Sequence, residues 1–330
     1  MLGGGSKMKA IVINEYGGPE CLEYSDAPMP EPGDGEVLIK SRFIGVNFTD
    51  IRNRVGDGDG KVPMIIGVEA SGEVVKLGTG CMKFKVGDFV TSFTRGHAYA
   101  EYVTALEKFT EKISEDFAKR PESAGILVTV PLALNIVERA GRIRPGETVM
   151  VHAASGGVGS IVGQLVKQIN GTRLFGTISS ISKEAYAKQN GYDELMSYEN
   201  FSDHAMELTG GNGIDAILDP IGGEVQKRSL EIVAPFGRLV SYSNISRASQ
   251  ELPSALWLRS RCIGFVGISN GSLSDHSPAL LAESLSHSVA LVENGTLKID
   301  VTEIFPLAQA AKVHEIFEGR TAIGKFILEV

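Results

Sequence analysis

The sequence predicts an α/β protein in two parts, an irregular β-rich domain followed by a doubly wound parallel sheet of six strands with helices on its faces. Three observations lead there. At 330 residues the chain exceeds what one hydrophobic core ordinarily serves. Up to about Ile126, short β-prone runs alternate with Gly and Pro, whereas from Leu127 to about Gly267 strand-length apolar runs alternate with helical patterns. The tightest strand-to-helix junction, His152-Ala153-Ala154-Ser155-Gly156-Gly157-Val158-Gly159, follows the apolar run Thr148-Val149-Met150-Val151 and opens a helical pattern at Ser160.

In chain order, residues 1–7 (MLGGGSK, before a second methionine) read as an expression scar. Strands are expected at 9–13, 36–43, 72–77, 88–91 and 98–103 in the first part. The second part has them at 148–152, 174–178, 194–197, 214–219, 238–242 and 262–267. A long helix at 277–294 and a β-like tail through 324–330 are expected to return to the first domain. The domain boundaries are accordingly 1–126, 127–269 and 270–330.

Composition removes several function classes. A formal charge of −8 with a pI near 5.4, and no basic stripe, argue against nucleic acid and anionic membrane surfaces as partners. No apolar run approaches the roughly 20 residues of a bilayer span. Cys21, Cys81 and Cys262 lie far apart without a C-x-x-C spacing, which points to free thiols and a cytoplasmic setting.

The glycine junction is suited to a dinucleotide. Gly156, Gly157 and Gly159, with Ser155 and Val158, give a turn thin enough for backbone N–H groups and the positive helix end to approach a pyrophosphate. Ala154 stands where the first glycine of G-x-G-x-x-G is usual. After the second strand an NAD site normally carries a carboxylate for the ribose hydroxyls, but this chain reads Ser179-Ser180-Ile181-Ser182-Lys183. Hydroxyls and a cation suit a 2′-phosphate, so NADPH is the expected cofactor; the competing reading makes the serines helix caps and Lys183 a solvated charge. Turns following other strands, Asp219-Pro220-Ile221-Gly222-Gly223 and Ser243-Asn244, should line the same ligand.

Beyond these local signals, the sequence resembles the zinc-free quinone oxidoreductase (zeta-crystallin-like) branch of the medium-chain dehydrogenase/reductases over residues 8–330. The carriers are Gly45-Val46-Asn47-Phe48-Thr49-Asp50 with Arg54 and Gly56, Gly67-Val68-Glu69-Ala70-Ser71-Gly72 after Pro63, and Val86-Gly87-Asp88. Ala98-Tyr99-Ala100-Glu101-Tyr102, Arg144-Pro145-Gly146-Glu147 and the glycine junction complete the set. The resemblance implies a GroES-like catalytic domain, a Rossmann domain, and a cleft where hydride passes from NADPH to a quinone or an activated alkene. It implies Asn47, Asp50 and Arg52 near the reaction. Asn47 serves the nicotinamide end, Gly156, Gly157 and Val158 the pyrophosphate, and Ser179 and Lys183 the 2′-phosphate. Tyr198 lies against the adenosine, Asn244 follows the fifth strand, and Lys325 or Arg320 adds a late contact.

Zinc-dependent relatives carry Cys and His where this chain has Asn47 and Val68, so no metal is expected. Glu69, without soft partners, reads as a structural hydrogen-bonding group. Two departures leave the substrate open: Arg52 replaces a common Tyr, and Val130-Pro131-Leu132 replaces a Gly-Leu/Val-Thr run. Reduction of α,β-unsaturated carbonyls is the alternative reaction, and a non-enzymatic NADPH-binding sensor or structural protein the alternative of another class. Alcohol dehydrogenation would need a metal or a Ser-Tyr-Lys type base that is not found. The resemblance also places the sixth Rossmann strand at a sheet edge, where pairing would give a homodimer.

Overall fold

The computed structural model describes residues 6–58, 60–249, 252–319 and 321–330; Arg320 and most of the expected scar lie outside the described residues. The chain forms two compact units, Met1–Pro131 with Ala279–Val330, and Leu132–Pro278.

The first unit holds β1 (Lys7–Ile13), β2 (Glu23–Pro28), β3 (Glu36–Gly45), β4 (Met64–Ile65), β5 (Glu69–Leu77), β6 (Phe89–Phe93), β7 (Tyr102–Leu106) and β8 (Thr110–Lys112). The second holds β9 (Thr148–Val151), β10 (Arg173–Ile178), β11 (Glu194–Ser197), β12 (Ile214–Asp219), β13 (Val233–Ser241) and β14 (Gly264–Gly267). The chain then returns to the first unit with the helix Pro278–Glu293 and strands β15 (Val301–Pro306) and β16 (Lys325–Glu329).

In the first unit one sheet runs β15-β16-β3-β5-β6-β8, with β7 also on β3, and a smaller sheet runs β2-β1-β4. Between them lies a core that includes Ile11, Ile13, Val37, Ile39, Ile44, Val74, Val90 and Phe326. β16 pairs antiparallel with β3 through Ile327↔Gly45, which brings the C-terminal strand beside the segment that leads into Asn47. The strand expected at 98–103 begins only at Tyr102. Positive φ at Arg95 (64°), Gly96 (157°) and His97 (63°) reverses the backbone, and Ala98, Tyr99 and Ala100 become fully buried packing with a single bridge, Ala10↔Ala100.

In the second unit six parallel strands run β11-β10-β9-β12-β13-β14, the doubly wound dinucleotide order whose ligand crevice opens at the strands' carboxyl ends. β13 starts earlier than its sequence pattern suggests, with Phe236 in the left-handed region at φ 64°. Cys262 is not a strand residue as expected: at φ 56° it terminates the helix Ala255–Arg261, so β14 starts only at Gly264. The amino ends of the strands are clamped by Arg238. Its guanidinium takes Glu147 bidentately at 2.6 and 2.7 Å and donates to the carbonyls of Gly141, Arg142 and Asp215.

Candidate active site

In the second unit, β9 delivers the chain into the glycine junction and the helix Gly157–Lys167. The turn is held from behind: Ala154 N–H donates to the Thr177 carbonyl at 3.0 Å, and Ala153, at φ 56°, donates its N–H to the Tyr198 hydroxyl at 3.0 Å. A Cβ at Gly159 would run into the Ala153 carbonyl, so this position must be glycine for the helix to start so close to the strand. The first N–H groups of that helix have no intrahelical acceptor and carry its positive end, which fits a pyrophosphate. His152 supports the turn without joining it. Its Nδ1 lies 3.0 Å from the Thr177 hydroxyl and its Nε2 2.7 Å from Ser229 Oγ, and burial pushes its pKa down to about 3, so it is neutral.

Beyond β10, Ser180 Oγ accepts from Ser182 N–H at 3.3 Å and caps the short turn Ile181–Lys183, while Ser179 is exposed. Lys183 is not the solvated surface charge of the competing reading. It is 7% exposed, and desolvation lowers its pKa. Asn244 closes its own turn, donating to the Ala248 carbonyl at 2.9 Å and accepting from Ser246 Oγ at 3.0 Å. At the end of β12, Asp219 accepts from the N–H groups of Ile221 (2.7 Å) and Gly222 (3.2 Å), which folds the Asp219–Gly223 segment back on itself.

In the first unit, Asn47 stands at the N-cap of the helix Phe48–Arg54 with Asp50 at the third helical position, the spacing of a reciprocal cap. The capping box is present in both directions. Asp50 Oδ2 accepts from the Asn47 backbone N–H at 2.8 Å, and the Asn47 side chain also makes bonds beyond the cap. Its Oδ1 accepts from Lys325 Nζ at 2.6 Å, and its Nδ2 donates to Glu69 Oε1 at 3.0 Å and to the Gly45 carbonyl at 3.1 Å. Lys325 also pairs directly with Glu69, whose other oxygen accepts from Val128 N–H at 3.0 Å. Asn47, Glu69 and Lys325 are all buried. A Cβ at Gly45 would strike both Glu69 and the Ala124 carbonyl, so glycine makes room for the carboxylate. Glu69 thus has the hydrogen-bonding role expected of it. Among the described residues no three His, Cys, Asp or Glu side chains converge as a metal-ligating group.

Arg52 stands outside this network, donating Nη2 to the Asp57 carbonyl at 2.8 Å in the turn that ends its helix. Arg52→Met is therefore expected to change kcat by no more than about twofold, the ordinary effect of a surface substitution. A cleft-facing role stabilising a developing oxyanion would instead cost roughly 30- to 1000-fold, and steady-state kinetics with a quinone and an enone separate the two. Sequence reasoning did not reach Tyr99, His314 or the role of Arg54. Tyr99 OH lies 3.1 Å from Asp50 Oδ2 and 3.2 Å from His314 Nε2. The only signal was the oddity of a histidine inside the apolar stripe of the helix Ala310–Glu318.

Comparison with known proteins agrees with this architecture. Residues 33–115 match the alcohol dehydrogenase GroES-like domain and residues 190–328 match the zinc-binding dehydrogenase family. A quinone oxidoreductase of Pseudomonas aeruginosa is 34% identical over 97% of this chain and 99% of the relative. A 2-haloacrylate reductase of a Burkholderia species is 29% identical over 97% of this chain and 98% of that protein. Among solved structures, Escherichia coli quinone oxidoreductase complexed with NADPH superimposes with a TM-score of 0.89 at 26% identity, covering 98% of this chain and 100% of the other. With Asn47 and Val68 in place of zinc ligands, the chain belongs to the zinc-free quinone oxidoreductase family of medium-chain dehydrogenase/reductases.

Proposed function

We propose that this NADPH-dependent oxidoreductase passes hydride directly to a quinone, with Asn47, Asp50 and Lys325 serving the nicotinamide end of the cofactor. The observation that carries the reading is the buried set of bonds that the Asn47 side chain makes beyond its cap. A side chain at a helix cap is also buried and locked between a cation and a carboxylate, more than a cap requires and of the kind that marks functional sites. Lys325 holds three ammonium protons and gives two to Asn47 and Glu69, which leaves one for a ligand oxygen. Ser155, Gly156, Gly157 and Val158 take the pyrophosphate, Ser179 and Lys183 the 2′-phosphate, and Tyr198 and Asn244 flank the cofactor.

When bound, the dihydronicotinamide supplies the hydride, from its C4. The chain's own part is to orient: Asp50 fixes the Asn47 backbone, and Glu69 with Lys325 fixes its amide plane. The resulting hydroquinone anion takes its proton from water, and no side chain is assigned as general acid.

A second reading, reduction of an electron-poor alkene, is favoured by the likeness to the 2-haloacrylate reductase. NADPH oxidation measured with 1,2- and 1,4-naphthoquinones beside 2-haloacrylate, 2-alkenals and enones decides. A higher kcat/KM for the quinones supports the first reading, the reverse order the second, and NADPH binding without turnover of any acceptor would leave a sensor.

The quaternary expectation is a homodimer formed along β14, which pairs only with β13 among the described strands and whose residues are partly exposed. Sedimentation should give twice the 35.2 kDa chain mass at micromolar concentration; a single 35.2 kDa species would remove the proposal. No helix among the described residues is long and apolar enough to cross a membrane, and we place the protein in the cytoplasm.

A further inference from the structure

A line of buried polar side chains leads away from Asp50, starting at the oxygen that also accepts from the Asn47 N–H. Asp50 Oδ2 accepts from Tyr99 OH at 3.1 Å, that hydroxyl lies 3.2 Å from His314 Nε2, and His314 Nδ1 lies 3.4 Å from Arg54 Nη1. Arg54 then pairs with Glu318, whose side chain is 39% exposed, while Asp50, Tyr99, His314 and Arg54 are fully buried. The four arrive from three places in the chain: Asp50 and Arg54 from the helix after β3, Tyr99 from the loop before β7, and His314 from the helix Ala310–Glu318.

Donor chemistry fixes the direction of every bond. A guanidinium only donates, so His314 Nδ1 is the acceptor and the single ring proton sits on Nε2. Nε2–H therefore donates to the Tyr99 oxygen, and the phenolic proton is left for Asp50. Burial, with Arg54 beside it, pushes the His314 pKa down to about 3, in keeping with a neutral ring. We propose that Tyr99 and His314 are positioning residues of the hydride-transfer site: the one-way chain Arg54, His314, Tyr99 holds Asp50 as the carboxylate that seats the Asn47 backbone, and with it the amide that meets Lys325 and Glu69.

The proposal rests on the reading of Asn47 and Asp50 as part of the reaction site. Other groups act on the same carboxylate. Burial pushes its pKa up, to about 7, opposed by the Asn47 N–H, by Lys325 on β16 and by the Tyr99 hydroxyl, while Glu69 on β5 adds to the rise. Its second oxygen, Oδ1, is buried with no hydrogen-bond partner among the described residues, so few donors remain to keep the ion in place. The Tyr99 bond is one of two that do.

The test is carboxyl titration of Asp50 by 13C NMR in the full chain without cofactor, beside the pH dependence of kcat/KM. Tyr99→Phe removes one oxygen and should raise the proton affinity of Asp50 roughly tenfold or more, the worth of one hydrogen bond to a charged group. The acid limb of kcat/KM should move to higher pH with it, and Asp50→Asn should abolish that limb. His314→Leu should act like Tyr99→Phe, while His314→Gln, which keeps a donor near the Nε2 position, should restore the parent midpoint. In 15N spectra of the parent, the His314 ring should carry its proton on Nε2. A proton on Nδ1, or an unmoved Asp50 midpoint in Tyr99→Phe, overturns the chain whatever the activity does. A moved midpoint that kcat/KM ignores overturns the reading of Asn47 and Asp50 as the reaction site, and the positioning role with it.

Discussion

Lys183→Ala should weaken NADPH binding by roughly 10- to 100-fold and leave NADH binding nearly unchanged, because a charge-assisted contact to the 2′-phosphate contributes about 1.5–3 kcal/mol and only NADPH makes it. Lys183 is buried and its ammonium disfavoured by desolvation. A cation held away from water gains more from an arriving phosphate than an exposed one, since little solvent remains to screen the pair. The lowered pKa also sets a pH trend: NADPH affinity should fall at alkaline pH as Lys183 loses its proton, and NADH affinity should not follow it. Fluorescence titration of both nucleotides against parent and variant checks this. An equal loss for the two, or a parent that prefers NADH, would sink the 2′-phosphate assignment.

The second large effect is expected at Lys325. Lys325→Met leaves the Glu69 carboxylate buried with only the Asn47 amide and the Val128 N–H as donors. Removing one partner of a buried ion pair destabilises by about 3–5 kcal/mol, chiefly from the unpaired charge left behind, which corresponds to a fall in Tm of roughly 10 °C for a domain of this size. Glu69→Gln in the same background should recover much of the loss, because a neutral amide needs no counter-ion. Thermal unfolding of the single and double variants measures both steps. A Tm of Lys325→Met within about 2 °C of the parent would mean that water already solvates Glu69.

How much of this was legible depended on separation along the chain. The glycine junction, the six strands and their parallel order were readable because strand, turn and helix signals each lie within a few consecutive residues. The residues 98–103 misled because a run of small and aromatic residues is equally suited to a strand and to buried irregular packing, and the positive φ values at Arg95 and His97 have no composition signal. Asn47 and Asp50 were visible as a pair, but as a pair they also spell an ordinary helix cap. What the Asn47 side chain meets beyond that cap is Lys325, 278 residues away, and what supports Asp50 through Tyr99 is His314, 215 residues from Tyr99. Neither meeting leaves a local trace. In sequence His314 is one polar residue on an apolar helix face, and Lys325 one cation before a short strand.

The place of β16 in the chain has a consequence for synthesis. The second unit is one continuous stretch, Leu132–Pro278, and its strands and clamp can assemble as soon as that stretch has emerged from the ribosome. The first unit cannot close in the same way, because one strand of its sheet and the partner of Glu69 are made only after the second unit. For as long as the second unit is being translated, Glu69 and the Asn47 segment belong to an unfinished sheet in which β3, paired with β7 over Glu36–Lys40, lacks β16 beside Phe43–Gly45, an arrangement open to wrong strand pairing. Nascent chains halted just short of Lys325 should therefore hold a protease-resistant nucleotide-binding unit beside a β-rich unit still open to cleavage, and release of β16 should close it.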